Sequence, residues 1–312
     1  MVVVLSAGVV RAAPGAAPGA THAVPAPRVP LGEDFSTLEL IETGVVAVGG
    51  SLALAVAPRI WTPAPSIGAP QPSSFDRRIS DDLYRGQDAG RFWGRAPDVA
   101  GLYVLPYLPA VYYGAESLYW ARHGRPFFAD GDQNPDHHFF AFAEALGWTA
   151  LVNGVTKVVV GRARPYVVLE HPELASGRYE DNVSFFSSHS SAMFCTASFV
   201  ALDVSDHLRW RVLADAPPIE RFLVGTLLPY TVAFGTASIV AVSRIIDQQH
   251  WASDVLVGAG AGTLIAHLGY VAHFDHWGRP RRRHLDDGTP VPAASWRLVP
   301  TGNGLALAGL LP

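Results

Sequence analysis

The residues best suited to chemistry lie between Ser243 and Asp254, where an arginine, a histidine and a carboxylate follow one another at short spacing. If a helix begins at Trp251, His250 and Asp254 lie one turn apart on the same helix face. A carboxylate there can accept a hydrogen bond from one imidazole nitrogen and leave the other nitrogen free to act as a nucleophile. Arg244 adds a planar cationic group suited to a phosphoryl group. An ordinary helix start explains the same residues, so this stretch alone leaves both interpretations open.

Two further segments place polar residues beside apolar ones. Lys157 and Arg164 stand seven positions apart at the end of an apolar stretch, so both could face one anion if the helix continues. Ser187, Ser188 and His189 precede another apolar stretch, where a helix N-terminus favours an anion. His189 could there donate a proton to a leaving oxygen. The ordinary alternatives are a basic helix end and a serine-rich helix cap.

Six apolar segments predict an all-α fold, a six-helix bundle in which all six helices cross a membrane. The segments are Leu38–Ala57, Val99–Trp120, Phe139–Val160, Ser190–Val204, Phe222–Val242 and Ala252–Phe274. A soluble and mostly buried helical bundle is the alternative. In the six-crossing arrangement the three polar junctions described above lie on the same side of the membrane, which indicates a single site.

The 312-residue helical chain is expected to divide into three regions. Residues 1–36 form a leader in which the apolar run Val2–Val10 resembles a secretory signal without its basic start. Cleavage after that run would conflict with six crossings, and of the two ideas the cleaved signal is the less favoured. Residues 37–276 form the helical domain. Residues 277–312 form a polar tail, in which Thr301–Gly304 predicts a turn between two short strands.

The long connector at residues 58–98 is expected to lie on the same side as the three polar junctions. It is rich in proline at first and then polar, with a short amphipathic piece around Phe75–Tyr84. Polar loops that contain a small helix often carry or cover functional sites. The connector is therefore predicted to form a loop with one short helix over the mouth of the site.

The net charge argues against a nucleic-acid partner, and the spacing of possible ligands argues against a metal site. The chain is 49% hydrophobic and 16% charged with a net charge of −4, whereas nucleic-acid-binding domains are usually basic. Cys195 stands in an apolar run and is expected to be buried and unreactive. A cluster of acidic residues and histidines between positions 130 and 138 lacks the ligand spacing of a metal site, so no metal is predicted.

Taken together, the three motifs resemble the three-part signature of the type 2 phosphatidic acid phosphatase superfamily. That superfamily contains lipid phosphate phosphatases, bacterial class A acid phosphatases, glucose-6-phosphatases and vanadium-dependent haloperoxidases. The matching residues are Lys157 with Arg164-Pro165, then Ser187-Ser188-His189, then Ser243-Arg244 with His250 and Asp254. The resemblance extends from about Leu38 to Phe274.

The second motif departs from the family pattern Pro-Ser-Gly-His. Phe186 replaces the proline and Ser188 replaces the glycine. The glycine lets the backbone approach the phosphate, so the change at Ser188 is expected to affect the rate or the substrate preference. It removes none of the catalytic side chains.

The resemblance implies a phosphatase mechanism without a metal or another cofactor. His250 would attack phosphorus and form a phosphohistidine, Asp254 would fix the tautomer of that imidazole, and His189 would protonate the leaving alcohol and then activate water. The phosphoryl oxygens would be held by the remaining residues of the signature, Lys157, Arg164, Arg244, Ser187 and Ser188. Three cations around one phosphoryl group would supply the charge stabilisation that a metal ion gives elsewhere.

The leading prediction is a membrane phosphatase that hydrolyses a phosphorylated lipid, such as a phosphatidate-like lipid or a polyprenyl diphosphate. Its active site is expected to face the periplasm or the exterior of a bacterial-type inner membrane, with the basic stretch Arg281–Arg283 on the cytoplasmic side. Three alternatives stay open: a soluble periplasmic acid phosphatase acting on small phosphoesters, a vanadium-dependent haloperoxidase, and a membrane scaffold with a decayed site.

Overall fold

The computed structural model describes residues 37–60, 71–84, 99–124, 127, 135–169, 179–280, 295–301 and 304–310. The principal helices in these ranges are α1 Thr37–Ile60, α2 Ser74–Leu83, α3 Leu108–His123, α4 Pro135–Val160, α5 Ser188–His207, α6 Pro218–Ile246 and α7 Ala252–His273. The described part of the chain is therefore mostly helical, as predicted. The predicted leader at residues 1–36 and the basic stretch Arg281–Arg283 lie outside the described residues.

Prolines break one of the predicted apolar helices. The sequence predicts a single helix over Val99–Trp120, but the structure has a π turn at Ala100–Val104 and a 3-10 turn at Leu105–Tyr107 before α3 begins. Pro106 and Pro109 lack the amide hydrogen that a continuous α-helix requires. The hydrogen-bond pattern therefore changes at these positions, and the apolar stretch enters the bundle as two pieces.

The predicted amphipathic piece in the long connector is the helix α2. Ser73 caps it, because its hydroxyl accepts the amide hydrogen of Asp76 over 3.1 Å while the Asp76 carboxylate accepts the amide hydrogen of Ser73 over 3.2 Å. This reciprocal pair satisfies amide groups that a helix start otherwise leaves without partners. Ile79 and Leu83 pack against a small apolar cluster between α6 and α7. The helix α2 is therefore anchored to the ends of those two helices.

The long helices approach one another closely where glycines lie between them. The helix α1 packs along α4, and α5 packs against α6 and α7. A Cβ atom added at Gly147 would lie 2.7 Å from the Cα atom of Ala47, and one added at Gly262 would lie 2.1 Å from the carbonyl oxygen of Ser191. Only hydrogen fits at these crossings. The contact between α5 and α7 matters most, because the first turns of both helices carry predicted site residues.

Aromatic rings fill the core between α3, α4, α5 and α7. The ring of Phe199 lies 5.2 Å from that of Phe142 and 5.3 Å from that of Tyr270, measured between centroids, and both contacts are edge-to-face. Cys195 is completely buried in the same cluster, which confirms its predicted burial. This core fixes the spacing of the helices whose ends form the site.

The outer surface of the bundle is largely apolar. Large aliphatic side chains are exposed on several helices, for example Val45 on α1, Val111 on α3, Val159 on α4, Ile239 on α6 and Leu264 on α7. Of the described helices, α6 and α7 are long and apolar enough to cross a membrane. Length and composition thus support two of the six predicted crossings, and the exposed apolar residues extend around the other helices.

Among the described residues, both β-strands lie in the polar tail. The strand β1 Ser295–Thr301 pairs antiparallel with β2 Gly304–Leu310, with Thr301 opposite Gly304. The two strands lie on either side of the position at which the sequence predicts a turn, and the residues between them lie outside the described ranges.

Replacement of Gly262 with alanine is expected to destabilise the fold. The added methyl group would meet the Ser191 carbonyl oxygen, so α5 and α7 must separate, and overpacking of this kind costs about 1–3 kcal/mol. Gly260→Ala is the matched control, because nothing lies within 4 Å of a Cβ atom added there and alanine favours a helix. The melting temperature in detergent should fall for Gly262→Ala only. Equal melting temperatures for the two variants would contradict the close contact.

Candidate active site

The three predicted motifs meet at one end of the bundle. There α4 and α6 end, and α5 and α7 begin. A backbone hydrogen bond of 3.1 Å joins the amide of Ser187 to the carbonyl oxygen of Asp254 and so links the second motif to the third. Arg164 is partly buried at this end. The other predicted side chains each have an exposed fraction of 8% or less, and they are Lys157, Ser187, Ser188, His189, Arg244, His250 and Asp254.

His250 lies in the short loop between α6 and α7 with a defined tautomer. Its Nδ1 atom lies 2.7 Å from the carbonyl oxygen of Ser184. A carbonyl oxygen only accepts hydrogen bonds, so Nδ1 carries the proton and Nε2 keeps its lone pair. Burial, followed by the positive charges of Lys157, Arg164 and His189, holds the pKa of His250 well below its ordinary value. The imidazole is therefore neutral at physiological pH and can act as a nucleophile.

Asp254 supports this histidine indirectly, which corrects the sequence prediction. One carboxylate oxygen accepts the Ser184 hydroxyl over 2.5 Å and the Trp251 amide over 3.0 Å, and the other accepts a hydrogen bond from Arg162. The prediction that Asp254 bonds His250 directly is wrong because the carboxylate turns back to cap the first turn of α7. It holds Ser184, and the carbonyl group of Ser184 holds the imidazole.

Arg162 and Asp76 belong to the same network, and the sequence reasoning missed both. The guanidinium of Arg162 lies between two carboxylates, donating to Asp254 and, over 3.0 Å, to Asp76 of α2. The other Asp76 oxygen accepts the amide hydrogen of Ser253 over 2.9 Å. Arg162 stands two positions before Arg164 inside the first motif, which is a weak signal of a shared role. Its pairing with a residue 86 positions away has no signature in the sequence.

The Asp76 carboxylate is ionised although it is almost completely buried. Burial alone raises the pKa of Asp76, but the amide and hydroxyl of Ser253, the amide of Ser73 and the guanidinium of Arg162 together lower it below its ordinary value. Hydrogen bonds to the charged form of a carboxylate have this effect. A charged Asp76 and a charged Arg162 therefore form a buried ion pair next to the site.

Two of the predicted phosphate-binding cations are held in place by neighbouring oxygens. The Lys157 ammonium donates to the carbonyl oxygen of Val183 over 2.5 Å. The guanidinium of Arg164 donates to the side-chain oxygen of Gln249, and its buried Nε atom has no hydrogen-bond acceptor among the described residues. A buried guanidinium nitrogen without an acceptor is costly unless a ligand supplies one. The site thus has donor capacity that suits an anion.

Arg244 is oriented by its own helix turn at the end of α6. Its Nη2 atom lies 2.6 Å from a carboxylate oxygen of Asp247, and its Nε atom donates to the Ser243 hydroxyl over 3.2 Å. Asp247 balances part of the positive charge of this guanidinium. The third motif therefore provides both a cation and the carboxylate that holds the cation in a fixed direction.

The second motif forms the N-terminus of α5. Ser187 is the capping residue, and its hydroxyl accepts the amide hydrogen of Ser190 over 3.3 Å. The hydroxyl of Ser188 donates to the side-chain oxygen of Asn153 over 2.7 Å, and the Asn153 amide donates to the Phe186 carbonyl oxygen over 2.9 Å. Asn153 of α4 thus binds both residues that depart from the family pattern, and the Ser188 side chain is directed towards α4.

Comparisons with known proteins match the part of the chain that contains these residues. The family model described as PAP2 superfamily matches residues 138–277. A PA-phosphatase related-family protein of Dictyostelium discoideum is 31% identical over 45% of this chain and 49% of its own length. Lipid A 1-phosphatase of Porphyromonas gingivalis is 34% identical over 28% of this chain and 16% of its own length. Phospholipid phosphatase 2 of Bos taurus is 39% identical over 28% of this chain and 28% of its own length. The chain thus spans at most about half the length of these relatives.

A comparison of structures gives a weaker similarity. The crystal structure of the first transmembrane PAP2 type phosphatidylglycerolphosphate phosphatase, from Bacillus subtilis, has 19% sequence identity and a TM-score of 0.43. The similarity covers 73% of this chain and 94% of the other.

Arg162→Met is expected to destabilise the protein strongly. The substitution leaves two buried carboxylates without the cation between them, and removal of one partner of a buried pair costs about 3–5 kcal/mol. Arg78→Met is the matched control, because the Arg78 side chain is 83% exposed and its Nε atom lies 3.8 Å from Asp82. The melting temperature should fall clearly for the first variant and hardly for the second. A similar small shift in both would show that the Arg162 network contributes little.

Acid is expected to destabilise the wild type more than the variant His250→Gln. The folded-state pKa of His250 lies below that of an unfolded histidine, near 6.5. Below pH 6.5 the unfolded chain therefore binds a proton that the folded chain resists, and stability falls as the pH falls. Melting temperatures measured from pH 7.5 to 5.5 should decrease less in His250→Gln. Parallel curves would mean that the buried imidazole does not resist protonation.

Proposed function

We propose that this chain, in which residues 138–277 match the family model described as PAP2 superfamily, is a membrane-embedded phosphatase that acts on a phosphorylated lipid through a phosphohistidine intermediate. The observation that carries the proposal is the state of His250, a buried neutral imidazole whose Nδ1 proton is directed to the Ser184 carbonyl. That arrangement leaves Nε2 as the nucleophile, and the cations Lys157 and Arg164 lie close enough to lower the pKa of the ring.

In the first step the Nε2 atom of His250 attacks phosphorus. A bond between nitrogen and phosphorus forms while the ester bond to the lipid oxygen breaks. The proton on Nδ1 stays on the ring, and the Ser184 carbonyl stabilises the positive charge that the ring gains. His189 donates a proton to the departing alcohol, so the leaving group does not depart as an alkoxide.

In the second step His189 acts as the base. It removes a proton from a water molecule, the water oxygen attacks phosphorus, and the bond to Nε2 breaks to release inorganic phosphate. The resting state of both histidines is restored. One residue serves as acid and then as base because the two half-reactions are mirror images in proton transfer.

Charge stabilisation in the proposed mechanism comes from the cations of the first and third motifs. Lys157, Arg164 and Arg244 are held at the same end of the bundle by Val183, Gln249 and Asp247 respectively. Groups fixed before the substrate arrives need little reorganisation as negative charge develops on the phosphoryl oxygens. The amide groups at the start of α5, near Ser187 and Ser188, add donors of the same kind.

An apolar cavity next to the second motif supports a lipid substrate. The cavity has a volume of about 190 Å³ and is bounded by Ser188 and Asn153 on its polar side. Its apolar walls come from α1, α4 and the turns before α3 and include Leu54, Leu102, Tyr107, Phe139, Phe142 and Leu146. An acyl or prenyl chain placed there would leave its phosphate near the motif. The names of two relatives, lipid A 1-phosphatase and phospholipid phosphatase 2, favour the same substrate class.

The distribution of apolar and basic residues supports a membrane location with the site on the outer side. Apolar residues are exposed on the faces of the long helices, where a soluble protein would place polar ones. Arg209 and Arg211 lie in the connection between α5 and α6, and Arg221 lies in the first turn of α6, at the end of the bundle opposite the site. Basic residues favour the cytoplasmic side of a membrane, so the site would face the periplasm or the exterior.

The decisive experiment measures phosphate release from phosphatidate in detergent micelles and from a soluble phosphomonoester. The wild type should prefer phosphatidate, His250→Ala should lose activity, and His189→Ala should lose about 100-fold or more, the usual contribution of acid–base catalysis. His276→Ala is the matched control, since His276 is exposed and lies beyond the end of α7.

Further assays separate the alternatives. A chelator should leave the activity unchanged, and its loss would contradict a mechanism based on fixed cations. Full activity of His250→Ala would remove the nucleophile from the proposal. Halide oxidation by the protein with added vanadate, in place of phosphate release, would indicate a haloperoxidase.

A further inference from the structure

The loop that carries His250 contains a backbone conformation that side chains rarely adopt. Gln248 has a φ angle of 56°, in the left-handed region, and it is the one non-glycine residue with a positive φ among those described. Its amide donates to the Ile245 carbonyl oxygen, and its own carbonyl oxygen accepts the amide hydrogen of Tyr166. Left-handed residues other than glycine persist only where their surroundings hold them in place.

The side chain of Gln248 is held from a distant part of the sequence. Its Oε1 atom accepts the hydroxyl hydrogen of Ser80 over 2.8 Å, and its Nε2 atom donates to the carbonyl oxygen of Ser80 over 3.0 Å. Both residues are fully buried. A primary amide that binds a single serine through both of its polar atoms has a fixed orientation, so the loop is attached to α2 at this point.

A second attachment lies on the other side of the histidine. Asp76 precedes Ser80 by one turn on the same face of α2, and its carboxylate accepts both the amide and the hydroxyl hydrogens of Ser253 over 2.9 Å. The helix α2 therefore binds the chain two residues before His250 and three residues after it. The α2 residues of both attachments, Ser80 and Asp76, lie outside the three motifs of the signature.

We propose that Gln248 is a positioning residue for His250. Its two hydrogen bonds to Ser80 stabilise the left-handed turn, and the turn sets the direction in which the Nε2 atom of His250 points. The inference rests on the proposed function, because it requires His250 to be the nucleophile. It assigns α2 a role in the rate of the chemical step, since α2 fixes the loop that carries the nucleophile.

Two substitutions separate the backbone conformation from the side-chain attachment. Gln248→Gly adopts a positive φ without strain but loses both hydrogen bonds to Ser80. Ser80→Ala keeps Gln248 and its backbone but removes the hydroxyl group that binds Oε1. Asp81→Ala is the matched control, because Asp81 is exposed on the neighbouring position of α2.

The experiment follows formation of the phosphoenzyme in single turnovers with radiolabelled phosphatidate. The fraction of protein that becomes labelled reports correct folding, and the rate constant reports alignment of the nucleophile. Gln248→Gly should keep the labelled fraction and lower the rate constant by about tenfold or more, since a misplacement of 1 Å can cost about 100-fold. Ser80→Ala should lower it by about threefold, as expected for the loss of one neutral hydrogen bond. The Asp81→Ala variant should match the wild type.

Steady-state measurements add a readout that a purely structural role would leave unchanged. In both variants kcat should fall while KM for phosphatidate stays close to the wild-type value, because the phosphate-binding cations are unchanged. The double variant should be no slower than Gln248→Gly, since both substitutions remove the same attachment.

The results distinguish this inference from the function it rests on. If the wild type releases no phosphate and forms no phosphoenzyme, the proposed function and the inference both fail. If the wild type is active and Gln248→Gly forms the phosphoenzyme at the wild-type rate, the inference alone is wrong. A variant that loses labelled fraction but keeps its rate constant also overturns it. Should Gln248→Gly not fold, Ser80→Ala provides the same test with the smaller expected decrease.

Discussion

The carboxylate of Asp254 joins three separate parts of the chain, and the geometry of the site depends on those hydrogen bonds. It receives them from Arg162, which follows α4, from Ser184, which precedes α5, and from the amide of Trp251 at the start of α7. A buried carboxylate is stable only when such donors replace the water it has lost. The folding of these segments around one charge therefore brings the motif residues together, and it places the Ser184 carbonyl against the imidazole of His250.

The same network explains why a connector between two apolar segments belongs to the site. Arg162 has carboxylates on two sides, and the second of them, Asp76, belongs to α2. Without α2, the guanidinium would have one partner fewer and the Ser253 amide would lose its acceptor. A buried polar group left without a partner lowers the folding stability by more than a typical hydrogen bond raises it. The packing of Ile79 and Leu83 against the ends of α6 and α7 then adds apolar burial to an attachment that the polar groups orient.

Much of the fold and of the site could be predicted from the sequence, for reasons that are local. Long apolar runs such as Ala252–Phe274 predict helices because the backbone must satisfy its own hydrogen bonds in an apolar environment. Motif residues at the ends of those runs, such as Lys157 and His250, lie where helices meet connectors. Cys195 could be predicted to be buried from its apolar neighbours alone. In each case the controlling information lies within one or two helical turns.

The features that could not be predicted depend on contacts between distant residues or on capping. Helical periodicity places Asp254 on the same face as His250, but it does not reveal that the carboxylate bends back to the amide of Trp251. No local pattern pairs Arg162 with Asp76 or Gln248 with Ser80. The substitution at Ser188 looked like a loss of close packing, whereas the structure shows that Asn153 accepts its hydroxyl.

Two of the cations proposed to bind the phosphoryl group, Lys157 and Arg164, are held by neutral oxygen atoms. In the resting protein the Lys157 ammonium donates to one carbonyl oxygen, which leaves two of its three hydrogens for a substrate. The Nε atom of Arg164 is buried without an acceptor among the described residues. A phosphoryl group would therefore add hydrogen bonds to these two cations while their existing ones persist. The carbonyl and amide oxygens that hold them are neutral, so they orient the cations and leave the positive charge for the substrate.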